Sequence, residues 1–172
     1  MSAFVLSRRD YCNSLLSGCP KFFLENYKRS RTQLQDLSSK LIYKRDHISF
    51  LLRTLHWLPI QARIEYKLST LCHSLFSDTA PVYLSDLFHV FSPTRQLRSS
   101  SDLRTLRILH IKTKTFGHRS FSCAAPFVWN SLPREIRHIQ STSAFKIALK
   151  TCLCKSYLYY FLAKSLLPPL FF

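Results

Sequence analysis

Gly117-His118-Arg119-Ser120-Phe121-Ser122-Cys123-Ala124-Ala125-Pro126-Phe127-Val128-Trp129-Asn130-Ser131-Leu132-Pro133 is the stretch on which the fold turns. It joins a turn glycine, a cation (Arg119), a small Cys-Ala-Ala trio and a large aromatic, Trp129, and it closes on Pro133. Nothing in it resembles an active site. Turn, small packing residues and bulky anchor together read as a structural joint, with Trp129 and Pro133 as its fixed points; the alternative role for Trp129 is to stack on a base. Just upstream, residues 106–114 are β-branched and basic, with imperfect alternation. With Gly117 and residues 121–124 they predict a small β-hairpin.

Further from the joint the pattern is helical. Ile48, Leu51, Leu52 and Leu55 follow the i, i+3, i+4, i+7 spacing of one helix face. Pro59 punctuates, and Ile60, Ile64, Leu68, Leu71 and Leu75 form a second apolar stripe. Two such helices predict a helical hairpin that buries its stripes together, with Trp57 and Pro59 as anchors. Phe23, Tyr27, Leu34, Leu37 and Leu41 repeat at roughly helical spacing, broken by a polar gap at Arg29 to Thr32. Pro81 suits the first turn of a short helix over 82–88. A last helix is predicted from Ser143 as N-cap, on Phe145, Ala148, Leu149, Cys152 and Leu153. The expected fold is one α+β domain, mostly α: a helical hairpin and further helices with a small β-hairpin.

The 172 residues, 47% of them hydrophobic, suffice for one core. Only 2 glycines disfavour glycine-rich phosphate loops and turn-dense β architectures. Charge is the strongest compositional fact: 25 Lys and Arg face 9 acids, a net +16. From Leu103 onward 11 Lys and Arg face one acid, Glu135, so that part carries +10. Such a balance points to a polyanionic partner, nucleic acid first and acidic membrane second. The 6 cysteines are irregularly spaced, and the apolar run at the amino terminus is cut off by Arg8, Arg9 and Asp10. Reduced thiols in an intracellular protein, cytoplasmic or nuclear, are therefore expected.

Catalytic chemistry finds little support. The acids are single, with no Asp-Asp pair to hold two metal ions. Cys72-His73 and Cys152-Leu153-Cys154 lack the spacing and second pair of a structural zinc site. No local signature marks a Cys/His nucleophile. Neither a metal nor a cofactor is expected. Basic residues among hydroxyls are more promising: Thr94, Arg95, Arg98, Ser99 and Ser100, then Lys112, Lys114, His118 and Arg119. Arg95, Arg98, Lys112, Lys114 and Arg119 are the candidate phosphate contacts. Such charges also serve to keep a hairpin edge soluble and unpaired.

Several segments follow one another in a telling order. Asp10-Tyr11-Cys12-Asn13-Ser14-Leu15-Leu16 precedes Leu55-His56-Trp57-Leu58-Pro59 and Arg63-Ile64-Glu65-Tyr66-Lys67. Ala80-Pro81-Val82-Tyr83-Leu84-Ser85-Asp86-Leu87 and Leu97-Arg98-Ser99-Ser100 follow, then Arg119 through Pro133, then Phe145-Lys146 and Leu149-Lys150-Thr151. This ordered set, over roughly residues 2–153, resembles the C-terminal region of LINE-type (non-LTR, jockey-like) retrotransposon reading frames, downstream of the reverse transcriptase palm. The resemblance implies a thumb-like region over 1–156 that braces template RNA and primer DNA. Polymerisation in that family depends on palm aspartates upstream of this region, so the implied fragment is not an enzyme. Departures are Arg9 before the Asp-Tyr-Cys-Asn run, the larger polar residues from Lys28 to Lys40, and the tail beyond Lys155. They read as a truncated, decayed copy.

The tail over 157–172 is aromatic and leucine-rich, interrupted by Lys164 and Pro168-Pro169. It falls short of the roughly 20 apolar residues that span a bilayer. The expected partner is an RNA or DNA backbone, bound without sequence preference. The alternatives are an interaction remnant that self-associates or binds another reverse transcriptase chain, and a basic membrane-surface protein.

Overall fold

A computed structural model of the chain describes residues 13–20, 24, 58–92, 104–110, 113, 117 and 120–166, with residue 13 and residues 158–166 described by backbone alone. Its centre is helix α1, Ile60–Phe76. Pro59 stands at its N-cap, where a missing N–H costs nothing, and the Pro59 carbonyl accepts the Arg63 N–H at 3.0 Å. Ile60, Ile64, Leu68 and Cys72 are buried at intervals of four, with Ala62, Ser69 and His73 beside them. The expected stripe holds through Leu68. Leu71 and Leu75 are only partly buried, and the core turns onto Cys72 and His73 instead. The helix ends by a Schellman-type closure: Thr79 N–H donates to the Ser74 carbonyl at 3.0 Å, and Asp78 takes φ 50°.

Four further helical elements follow the chain: α2 Val82–Ser85, α3 Phe121–Asn130, α4 Arg134–Arg137 and α5 Thr142–Leu166. A 3-10 turn, Asn13–Leu16, packs on α1 from the amino-terminal side. α3 and α5 both lie on α1. α3 approaches closely because its buried residues are small: Cys123, Ala124 and Ala125. α5 docks through Phe145, Leu149 and Leu153, four residues apart and all buried. Each such side chain contributes about 2 kcal/mol, so packing rather than helix propensity holds α5 in place. Its backbone helix runs on through residue 166.

An aromatic stack fills the middle. Trp129, fully buried, stacks on Phe76 at 5.3 Å and tilts against Phe145 at 5.9 Å. Phe145 in turn stacks on His73 at 4.1 Å.

The mostly helical expectation holds, and the β-hairpin does not. Residues 121–124 form the first turn of α3. Among the described residues the extended segment 104–110 pairs instead with 89–91, through one antiparallel bridge, Val90 with Leu106. The physical reason is legible afterwards. Phe121, Ala124, Ala125, Val128 and Trp129 keep helical spacing behind Ser120, and alanine favours helix over strand. The short helix after Pro81 closes earlier than expected, at Ser85, and then tightens into turns from Leu87 N–H to the Leu84 carbonyl and Phe88 N–H to the Ser85 carbonyl. The last helix starts at Thr142, with the Ser141 carbonyl accepting the Phe145 N–H at 2.9 Å, so Ser143 lies inside its first turn. The first helix of the expected hairpin, the stripe at 23–41 and the end of the tail lie outside the described residues.

Candidate functional site

The joint grips the extended segment 104–107 by hydrogen bonds. The Asn130 carboxamide donates from Nδ2 to the Leu106 carbonyl at 2.8 Å and accepts the Leu106 N–H at 3.0 Å. A carboxamide carries the same donor and acceptor as a peptide unit, so Asn130 takes the place of a neighbouring strand, and the pair of bonds fixes which way the amide faces. Trp129 donates from Nε1 to the Arg104 carbonyl at 2.7 Å. On the other side of the segment, Phe91 N–H donates to the Thr105 carbonyl and Arg107 N–H to the His89 carbonyl, each at 2.8 Å.

Two guanidinium groups complete the grip. Arg137, buried, donates from Nε to the Leu132 carbonyl and from Nη1 to the Arg104 carbonyl and Thr105 Oγ1, each at 3.2 Å. Arg104 donates from Nη1 to the Arg137 carbonyl at 2.9 Å and the Ile139 carbonyl at 3.3 Å, and from Nη2 to Gln140 Oε1 at 2.6 Å. Its guanidinium carbon also lies 5.8 Å from the centre of the Phe76 ring. In a chain poor in acids, backbone carbonyls supply most of the acceptors for these contacts, those of Arg104 at and just beyond the end of α4.

His73 meets the same loop. Its Nε2 donates to the Ile139 carbonyl at 2.8 Å, which leaves Nδ1 as the acceptor, 3.5 Å from Ser77 Oγ. Burial pushes its pKa below the ordinary histidine value, and the positive charges of Arg104 and Lys146 push the same way; the Ile139 carbonyl pulls against them. Cys72 donates its thiol to the Ala125 carbonyl at 3.7 Å, and burial raises its pKa well above the usual thiol range. That makes it a packing residue rather than a nucleophile. Glu65 accepts Tyr157 Oη–H at 2.8 Å, tying α1 to α5; burial raises its pKa, against the lowering pull of the Tyr157 and Gln61 hydrogen bonds. Among the described residues no three His, Cys, Asp or Glu side chains gather as metal ligands.

Of the residues singled out in the sequence, Trp129 is the centre of the core, and its burial leaves no face for a base. Pro59 is partly buried at the head of α1. Pro133 is exposed at the head of α4, and its carbonyl accepts the Ile136 and Arg137 N–H groups, which places the Arg137 side chain. Trp57, Arg95, Arg98, Lys112, Lys114 and Arg119 lie outside the described residues. The segment that leads to Lys112 and Lys114 emerges from the joint with Arg107, Ile108, Leu109 and His110 exposed. Sequence reasoning missed Arg104, Asn130, Arg137 and His73. Only Asn130 carried a signal, a polar residue directly after an apolar helix face.

Comparison with family models, with curated proteins and with solved structures finds no match to this chain.

Proposed function

We propose that the chain is a non-catalytic nucleic-acid-binding module, a C-terminal fragment of a non-LTR retrotransposon reverse transcriptase that binds RNA or DNA without sequence preference. The observation that carries the binding is the net charge of +16. It is supported by where the described cations stand: Arg107, Arg134, Lys146, Lys150 and Lys155 are exposed. Charges of this kind bind a polyanion by releasing its counterions, so affinity falls steeply with salt. Arg95, Arg98, Lys112, Lys114 and Arg119 supply further phosphate contacts.

Fluorescence anisotropy of the purified chain with a labelled RNA–DNA hybrid, titrated at several salt concentrations, tests this. The expected result is tight binding at low salt with a steep log–log slope. Replacing Arg95, Arg98 and Lys112 by alanine flattens that slope by about 0.7–0.9 for each phosphate no longer neutralised. A folded chain that leaves the hybrid free at low salt refutes the reading.

A second reading, an interaction remnant, draws on the exposed apolar residues of α2. Val82 is 77% and Tyr83 68% exposed, with Leu87 just beyond. Sedimentation that shifts with concentration, and returns to monomer in a Val82→Ser/Tyr83→Ser variant, would support self-association or docking to another reverse transcriptase chain. Among the described residues no helix is long and apolar enough to cross a membrane.

A further inference from the structure

We propose that His89, Phe91 and Arg107 form a stacking site for unpaired bases, so that the chain prefers single-stranded over duplex nucleic acid; this rests on the nucleic-acid reading above. The bridge between Val90 and Leu106 sets the geometry. The flanking bonds, Phe91 N–H to the Thr105 carbonyl and Arg107 N–H to the His89 carbonyl, make Val90 and Leu106 a directly opposed pair. Side chains alternate along an extended chain, so Val90 and Leu106 share one face, and His89, Phe91, Thr105 and Arg107 share the other. Leu106 is 3% exposed and packs into the core, while Val90 opposite it is 54% exposed. On the opposite face the Thr105 hydroxyl is taken by Arg137, while His89 and Arg107 are exposed and Phe91 is 48% exposed.

A half-exposed benzyl ring therefore lies on the same face as an imidazole and a guanidinium. Arg107 lies opposite His89 and diagonal to Phe91, a separation that a long side chain spans. The platform is held from behind, because Asn130 and Trp129 fix the backbone on which Thr105 and Arg107 ride. An antiparallel bridge that sets an exposed aromatic beside cations suits a base on the ring and a phosphate on the guanidinium. An unpaired base offers its π face to such a ring, whereas bases within a duplex keep theirs in the stack. The excess positive charge of the chain selects a polyanion over an apolar protein segment as the occupant.

The test compares a short labelled single-stranded RNA with a blunt RNA duplex of the same sequence, using the full chain and the Phe91→Ala, Phe91→Leu and Arg107→Ala variants. Phe91 lies outside the buried core, and unchanged far-UV circular dichroism verifies the fold of each variant. Phe91→Leu keeps apolar bulk without the ring. The expected result is about tenfold weaker single-strand binding for both Phe91 variants, with duplex binding unchanged. Arg107→Ala weakens both ligands and flattens both salt slopes. Equal losses on the two ligands, unaltered single-strand binding in both Phe91 variants, or a wild-type chain that takes only the duplex would overturn the stacking site and leave nucleic-acid binding standing. A wild-type chain that binds neither ligand overturns both.

Discussion

Ser69 is fully buried in α1, and its hydroxyl has no hydrogen-bond partner among the described residues. Its neighbours behave otherwise: Thr70 donates to the Tyr66 carbonyl at 2.7 Å and Ser74 to the Leu71 carbonyl at 2.8 Å. A buried, unsatisfied hydroxyl costs on the order of 1–3 kcal/mol, and alanine is the better helix former. Ser69→Ala is therefore expected to raise unfolding stability by about 1 kcal/mol in urea titration; a loss would mean that the hydroxyl is satisfied. His73 gives a pH dependence of definite sign. Its pKa is lower folded than unfolded, so the unfolded chain takes up a proton first as pH falls. Stability is fully present above the unfolded value, near 6.5, and is lost as pH falls through it toward the depressed folded value. Thermal melts between pH 7.5 and 5 should show the decline. His73→Gln should melt lower throughout, having lost the Phe145 stack, but with a flatter pH profile. A slope identical to wild type would assign the dependence to other groups.

At the scale of elements, the segment 104–107 behaves as a strand although no sheet surrounds it among the described residues. Asn130 supplies one side of it and residues 89–91 the other. Asn130→Ala removes two bonds and leaves the Leu106 N–H and carbonyl without partners, which should cost about 2–3 kcal/mol. Hydrogen exchange at the Leu106 amide should accelerate more than exchange in α1; uniform acceleration would mean that the joint and the core open as one unit. The helices differ in how plainly the sequence announces them. α1 was legible through Leu68 because its stripe is local and strongly periodic. So was α5, whose Phe145, Leu149 and Leu153 recur every four residues. α3 was misread because Gly117 looks like the turn of a hairpin, and the small residues after it gain their meaning only from the surface of α1 on which they lie. Residues 90 and 106 meet across a long separation in sequence, and no local pattern announces such a pair. The guanidinium contacts were invisible for another reason: in a basic segment, a cation that binds carbonyls is spelled like one that faces water.

For the whole molecule, a net +16 on 172 residues sets a self-repulsion that folding must overcome. Salt shortens the reach of those charges, to about 10 Å at 0.1 M. Raising sodium chloride from low to moderate concentration should therefore raise the melting midpoint by a few degrees, where about 1 kcal/mol corresponds to roughly 2–4 °C for a chain of this size. A midpoint indifferent to salt would indicate that the cations are largely neutralised within the fold. The same titration weakens polyanion binding, so stability and affinity should move in opposite directions with ionic strength.

Arg104 and Arg137 stand apart from that surface charge, and their inheritance follows different rules. Lysine and arginine codons can lie one base apart, and the exchange keeps the charge of the chain. At Arg107 or Arg134, both exposed, such a change should pass unnoticed in folding. At Arg137 the single ammonium of lysine cannot reproduce a planar group that reaches the Leu132 carbonyl from one nitrogen and the Arg104 carbonyl and Thr105 hydroxyl from another. A copy of this chain drifting without selection would thus lose its joint through a mutation that leaves its composition, charge and hydropathy almost untouched.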